Sequence, residues 1–301
     1  MTGMLNQTYI LWMAGSILVT AVVHYFTAAG LKNRVMLTLL TMFTGTVFGI
    51  VFARIGYCLL QPDYALGYGL DYVLLSDDMS LMSFFCGAIG CVLGAMLAAK
   101  CTGNKIMSAL NAYAPAGALI ASLARFGEHF LGTLFAGSYL ENEAFCFFPI
   151  AVCNEWEEWY LAVHLYTGLL YLIIAIAAIA CFKEKRFLRT VYCLCLAQII
   201  CESLRNQSLI WSQFIRAEQL LCMVVILIIL ALLSIKLRPK ARRFIPVSVA
   251  LLCAGVFVAV EFAVGGKILN GVHPAVFYAV MLLGLGVLGI MEHRLIRRQS
   301  K

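Results

Sequence analysis

Arg125, Glu128 and His129 lie within one short stretch, Ala-Arg-Phe-Gly-Glu-His-Phe-Leu-Gly at residues 124–132, near the end of an apolar run that begins at Ile106. Spacings of three and four put the three ionisable side chains on one face of a helix. Arginine offers a planar fork that grips a phosphate through two bonds at once. A histidine beside such a fork is a candidate general base, and a glutamate in an apolar setting is another. The chemistry this pattern points to is the holding of a phosphate-bearing substrate with a proton acceptor close by. Similar residues recur along the chain: Arg54, His164, Glu202, Arg205, Arg216 and Glu218.

The elements that must position these groups are membrane spans. Of 301 residues, 63% are hydrophobic and 12% charged, a composition that excludes a soluble domain and fits a polytopic membrane protein. The formal charge of +7 is not a nucleic-acid signal, because the basic residues fall in short clusters between apolar runs. About nine spans of roughly 18–25 residues are expected, at about 9–31, 35–60, 80–99, 106–130, 159–182, 187–204, 217–236, 244–264 and 272–291. The fold class is therefore all-α. No cleavable leader is expected, since the first run is long enough to span and lacks a basic start. Most of the twelve cysteines lie in apolar runs, where Cys acts as a small hydrophobe. Cys146 and Cys153 fall in a loop and could pair.

Charge sets the orientation. Lys32 and Arg34 follow the first span, Lys100 and Lys105 the third, Lys183, Lys185 and Arg186 the fifth, and Lys236, Arg238, Lys240, Arg242 and Arg243 the seventh; Arg294, Arg297, Arg298 and Lys301 form the tail. The intervening loops carry Asp63, Asp71, Asp77 and Asp78, or Glu141, Glu143, Glu155, Glu157 and Glu158; the exception is the loop around 205–216, which places Arg205 and Arg216 on the outer side. The N-terminus is thus expected outside and the C-terminus inside. The run at 187–204, interrupted by Arg189 and Glu202, must cross, or the basic 236–243 loop would fall outside. Arg54 then sits near the outer end of the second span, and Arg125, Glu128 and His129 near that of the fourth. His164 opens the fifth span, Glu202 and Arg205 close the sixth, and Arg216 and Glu218 open the seventh. Five spans converge on one polar layer in the outer leaflet, where ionisable groups are costly and normally face an interior. Snorkelling and helix-to-helix ion pairs are the structural alternatives. Glu261 and His273 lie in the last two spans, whose Gly284, Gly286 and Gly289 suit close packing. His24, deep in the first span, reads as a hydrogen-bonded interior residue. No Gly-rich phosphate loop, zinc spacing, internal repeat or low-complexity segment is present, and Cys193 and Cys195 are two apart on a helix, facing different ways.

Several segments, in order, resemble the prolipoprotein diacylglyceryl transferase family. They are Arg-Ile-Gly-Tyr at 54–57, Met-Ser-Phe-Phe-Cys-Gly-Ala-Ile-Gly at 82–90, Ala-Pro at 114–115 ahead of the 124–132 stretch, Gln-Ile-Ile-Cys-Glu-Ser-Leu-Arg at 198–205, and Glu-Gln at 218–219. Gly168 in the fifth span fits the family's next helix. The resemblance covers roughly residues 50–235 and implies a membrane enzyme that moves diacylglyceryl from phosphatidylglycerol to a lipoprotein cysteine in the bacterial plasma membrane. It implies a seven-helix transferase-like core over residues 1–243, with 244–301 as an added hairpin and basic tail. The departures are pointed. Phe85 stands at the family's essential histidine, Glu128 and Leu131 at its signature asparagines, Thr133 at its signature glutamate and Gln198 at its later arginine. Arg54, Gly56, Tyr57, Arg125, Gly127, Gly132, Glu202 and Arg205 are kept.

The reading favoured by this combination is a transferase with a rebuilt site. Arg125 would hold the lipid phosphate with Arg54 or Arg205, Tyr57 and Gln198 would contact substrate, and Glu202 would orient an arginine. His129, His164 or Glu128 would act as base in place of Phe85. The partners would be an anionic phospholipid and a lipoprotein precursor or another acceptor, within the bilayer; no cofactor, metal or nucleic acid is expected. The alternatives are a non-catalytic lipid-binding or envelope-assembly protein on the same scaffold, or a transporter. A decaying site should drift toward apolar residues, whereas this one carries Glu128 and His129 in the signature span.

Overall fold

The computed structural model describes residues 2–76, 78–79, 81–206, 210–211, 215–235, 243–264 and 272–299. Asp77, Lys236, Arg238, Lys240, Arg242 and Lys301, which entered the charge argument, lie outside the described residues. Nine helices among the described residues are long and apolar enough to cross a membrane. They are α1 (Thr2–Thr27), α2 (Arg34–Leu60), α5 (Phe84–Cys101), α6 (Ile106–Gly127), α7 (Val163–Ala180), α8 (Arg186–Leu204), α9 (Ala217–Ser234), α10 (Phe244–Val264) and α11 (Pro274–Gln299). Two short helices, α3 (Pro62–Tyr68) and α4 (Leu70–Leu75), lie between α2 and α5. The strands pair as two small antiparallel hairpins, β1 (Ala151–Cys153) with β2 (Trp159–Leu161) and β3 (Ile210–Trp211) with β4 (Ile215–Arg216). The protein is an all-α, multi-pass membrane protein. An 18-residue helix such as α7 rises about 27 Å, close to the hydrocarbon thickness.

The expected spans hold, with local corrections at their ends. The first stops at Thr27 rather than near 31, because Gly30 (φ +86°) and Asn33 (φ +48°) turn the chain. The third begins at Phe84, where the Ser83 side chain accepts from the Cys86 amide and caps the helix. The fifth begins at Val163 because Trp159–Leu161 is tied up as a strand, paired Ala151 to Leu161 and Cys153 to Trp159. The ninth continues to Gln299, carrying Arg297 and Arg298 in its last turn, where cations suit the helix dipole. Cys146 and Cys153 are free thiols. Their sulfurs face backbone carbonyls instead, Cys146 that of Asn142 and Cys153 that of Asn154.

The chain forms two compact units, residues 1–191 with 204–209 and residues 192–203 with 210–301. In the first, α2 and α5 pack backbone to backbone: a Cβ on Gly90 would sit 2.2 Å from the Phe48 carbonyl oxygen, and one on Gly94 would sit 2.6 Å from the Gly45 nitrogen. Small residues allow this approach, which lipid alone would not drive. α1 is pinned to α6 at both ends, by Trp12 Nε1 donating to the Leu123 carbonyl and Thr27 Oγ1 to that of Ala112, each at 2.7 Å. α6 packs on α7, and the Ser122 hydroxyl donates to the Gly168 carbonyl at 2.7 Å. In the second unit, α9, α10 and α11 pack together. Of the three glycines singled out on α11, Gly284 makes the close contact, against the Phe257 ring, while a Cβ on Gly286 would meet nothing within 4 Å.

Candidate functional site

The signature stretch does not stay α-helical. α6 ends at Gly127, and 3₁₀ turns follow from Glu128, broken by a kink at Gly132 (φ +70°). Arg125, in the last turn of α6, and Glu128, three residues on, are paired and buried, while His129 is exposed, so the three do not share one buried face.

Arg125 is fully buried. Its Nη1 donates to Glu128 Oε1 at 2.5 Å, and its guanidinium lies 3.7 Å from the centre of the Phe84 ring. The second Glu128 oxygen, Oε2, accepts from Arg205 Nη2, so one carboxylate bridges two arginines. Arg205 reaches it because the chain after α8 is held against residues 136–137: Gly137 forms a bridge with Arg205, and the Asn206 amide donates to the Ala136 carbonyl at 3.2 Å. The Arg205 guanidinium also faces the Phe135 ring at 5.4 Å. The triad thus joins two guanidiniums to one carboxylate in a buried setting.

Beside this triad is a histidine pair. His164, in the first turn of α7, is fully buried, and neither ring nitrogen has a hydrogen-bond partner among the described residues. A buried imidazole without partners forfeits hydrogen bonds it would make in water. Its ring lies 5.8 Å from that of His129, which also contacts Phe148 at 6.0 Å. The helix register explains the placement: Gly168, one turn after His164, lets the Phe126 ring press onto α7, where a Cβ would come within 2.7 Å of it. Only glycine admits this contact, and it brings α7 up to the 125–129 segment.

Arg54 and Tyr57 sit elsewhere in the first unit. Arg54, buried at the end of α2, donates to the carbonyls of Val73 (3.1 Å), Ser76 (2.7 Å) and Leu81 (3.3 Å). Tyr57 packs with Ala65, Val73 and Leu81. Both therefore organise the loop that carries α3 and α4. Phe85 is half-buried in the first turn of α5, next to the Phe84 shelf under Arg125.

Gln198 and Glu202 belong to the second unit. The Gln198 amide donates to Glu202 Oε2 and to Glu218 Oε2, each at 3.0 Å. Around them Gln219 donates to Glu261 (2.9 Å), and Arg216 donates to Glu261 (3.2 Å) and to the Glu202 carbonyl. This network ties α8, α9 and α10 by hydrogen bonds, with Glu261 of α10 as one of its members. Phe84, Phe135, Ser122 and Phe126 were missed by the sequence reading. Phe84 and Phe135 lie against the triad's guanidiniums, and Ser122 and Phe126 fasten α6 to α7 at Gly168; no spacing within one helix marks these contacts. Among the described residues no group of three or more His, Cys, Asp or Glu side chains is placed to hold a metal ion.

No curated protein matches the chain. A family model does match it, that of the prolipoprotein diacylglyceryl transferases, over residues 6–235.

Proposed function

This chain belongs to the prolipoprotein diacylglyceryl transferase family, and from that premise we propose that it moves diacylglyceryl from an anionic phospholipid, phosphatidylglycerol-like, onto a lipoprotein cysteine or another nucleophile. Membership makes it a membrane protein of lipoprotein biosynthesis whose family acts on phospholipids and lipoprotein precursors. The setting we propose is the outer leaflet of a bacterial plasma membrane. The match ends at residue 235, which supports a transferase core up to residue 243 followed by an added hairpin.

The observation that carries the reading is the buried Arg125–Glu128–Arg205 triad beside a histidine whose two ring nitrogens are unpartnered among the described residues. Glu128 holds both guanidinium groups in place, and this fixed pair of cations is the proposed seat of the phosphate. In the proposed step the acceptor thiol gives its proton to an imidazole nitrogen of the His129–His164 pair. The sulfur attacks the glyceryl carbon next to the phosphate, the carbon–oxygen bond breaks, and its electrons leave with glycerol phosphate. The added negative charge develops beside the arginines, where fixed donors stabilise it most. His129, the exposed member, meets the incoming thiol, and buried His164 holds it in orientation or passes the proton on. Glu202 and Gln198 support the packing of α8 on α9, and Arg54 and Tyr57 hold the loop that carries α3 and α4.

Phe85 favours a second reading, a phospholipid-binding protein without turnover, since a phenyl ring accepts no proton. The two separate cleanly. Protein in vesicles with headgroup-labelled phosphatidylglycerol and a lipobox peptide should release glycerol phosphate in step with added peptide. Saturable lipid binding with no release at any peptide concentration would establish the second reading and end the first.

A further inference from the structure

The opposite end of the first unit carries a feature that the proposed transferase step does not use. Between α1 and α2 lies an open apolar cavity of about 390 Å³, lined chiefly by Val22, Tyr25, Phe26, Val35 and Leu39. Its rim is basic. Arg34 donates to the Tyr25 hydroxyl and stacks its guanidinium 3.9 Å from the centre of that ring, so the charge is fixed at the mouth of the groove. Tyr25 takes one of five guanidinium donors. Lys32 is exposed, yet its backbone is clamped: its amide donates to Asn104 Oδ1, and its carbonyl accepts from Asn104 Nδ2, both at 3.0 Å. The clamp joins the α1–α2 turn to the α5–α6 turn, next to Lys105. Residues 28–39 and 100–106 contain no acidic side chain. By charge this is the inner face.

We propose that this groove is a binding site for an anionic phospholipid of the inner leaflet, its acyl chain along Val22, Phe26 and Leu39 and its phosphate on Arg34 and Lys32. Any apolar helix face meets lipid chains. What sets this one apart is a guanidinium held rigidly at headgroup depth over the ring that forms the groove wall. Basic residues at the inner surface attract anionic lipids, and a fixed arginine loses little side-chain freedom on binding. The occupant is a lipid rather than a second copy of this chain, because a second copy would bring its own basic inner face against this one. The site is remote in sequence from the Arg125 triad and does not depend on the proposed transferase reaction.

The test uses the full chain in vesicles with phospholipid probes bearing a photoreactive diazirine on the acyl chain, with either a phosphatidylglycerol or a phosphatidylcholine headgroup. Peptide mapping should place the phosphatidylglycerol label on residues 21–39 at about tenfold or more over the phosphatidylcholine label. In the Lys32→Ala, Arg34→Ala double variant that preference should vanish while labelling near Arg125 persists. Leu39→Trp, an exposed change that fills the groove and keeps both charges, should lower the label with either headgroup. Equal labelling by the two probes in the wild type overturns the proposal. So does an anionic preference that survives the double variant, or protein-to-protein cross-linking through the groove in place of lipid.

Discussion

Glu128→Gln tests the triad most sharply, because the two side chains have nearly the same shape. The carboxylate accepts from Arg125 on one oxygen and from Arg205 on the other, with side-chain exposures of 1%, 8% and 6% for Arg125, Glu128 and Arg205. Glutamine keeps one acceptor and turns the other into a donor, so one guanidinium must face an NH₂ group. One charge-assisted bond is lost and the other becomes weaker, at about 1.5–3 kcal/mol for each bond to a charged group. Both arginines also lose the Glu128 counter-charge while staying buried. Breaking a buried pair in this way costs about 3–5 kcal/mol. Denaturant or thermal unfolding in one detergent should show that loss. Glu128→Gln combined with Arg205→Met should be less destabilised than the sum of the single changes, since the second removes a charge from which the first had taken the Glu128 carboxylate. A loss under about 1 kcal/mol, or strict additivity in the double variant, would refute the bridging geometry.

Three further outcomes are expected. Arg125→Lys removes the planar fork and the stacking on Phe84, at a cost of about 1.4 kcal/mol or more in transition-state binding, so phospholipid turnover should fall at least about tenfold while the unfolding midpoint barely moves. His129→Gln should reduce kcat with little change in lipid binding if it takes the thiol proton, while His164→Gln should lower kcat and shift the pH–rate profile through its contact with His129; identical profiles for wild type and both variants would remove the pair from the reaction. Gly168→Ala should destabilise by about 1–3 kcal/mol through overpacking against Phe126 and lower turnover with it, read by thermal unfolding and the vesicle assay on one preparation.

The spans were legible because a bilayer imposes a length and an apolar composition that sequence displays directly. Even the interrupted run at 187–204 emerges as α8, as the alternation of basic and acidic loops required. What sequence hid was the change of helix type after Gly127. Nothing in Gly-Glu-His announces that the α-helix ends there, or that Glu128 stays buried against Arg125 while His129 reaches the surface. The convergence of Arg125, Glu128 and Arg205 was visible only as a shared depth, because the contact from residue 128 to residue 205 depends on the β-bridge between Gly137 and Arg205. The strand at Trp159–Leu161 escaped because its aromatic and apolar residues read equally well as the start of a span. Arg54 shows a different limit: its bonds to three loop carbonyls depend on the folded loop, which no spacing in the sequence marks.

The central claim is that this site transfers diacylglyceryl with a histidine pair in place of the residue now occupied by Phe85. The most direct measurement is mass spectrometry of a lipobox peptide incubated with the protein in phosphatidylglycerol vesicles, for the wild type and for the His129→Gln, His164→Gln double variant. The account predicts a thioether-linked diacylglyceryl peptide from the wild type and its loss from a double variant that still folds and binds lipid. Absence of that product from the wild type, or its undiminished formation by the double variant, would contradict it.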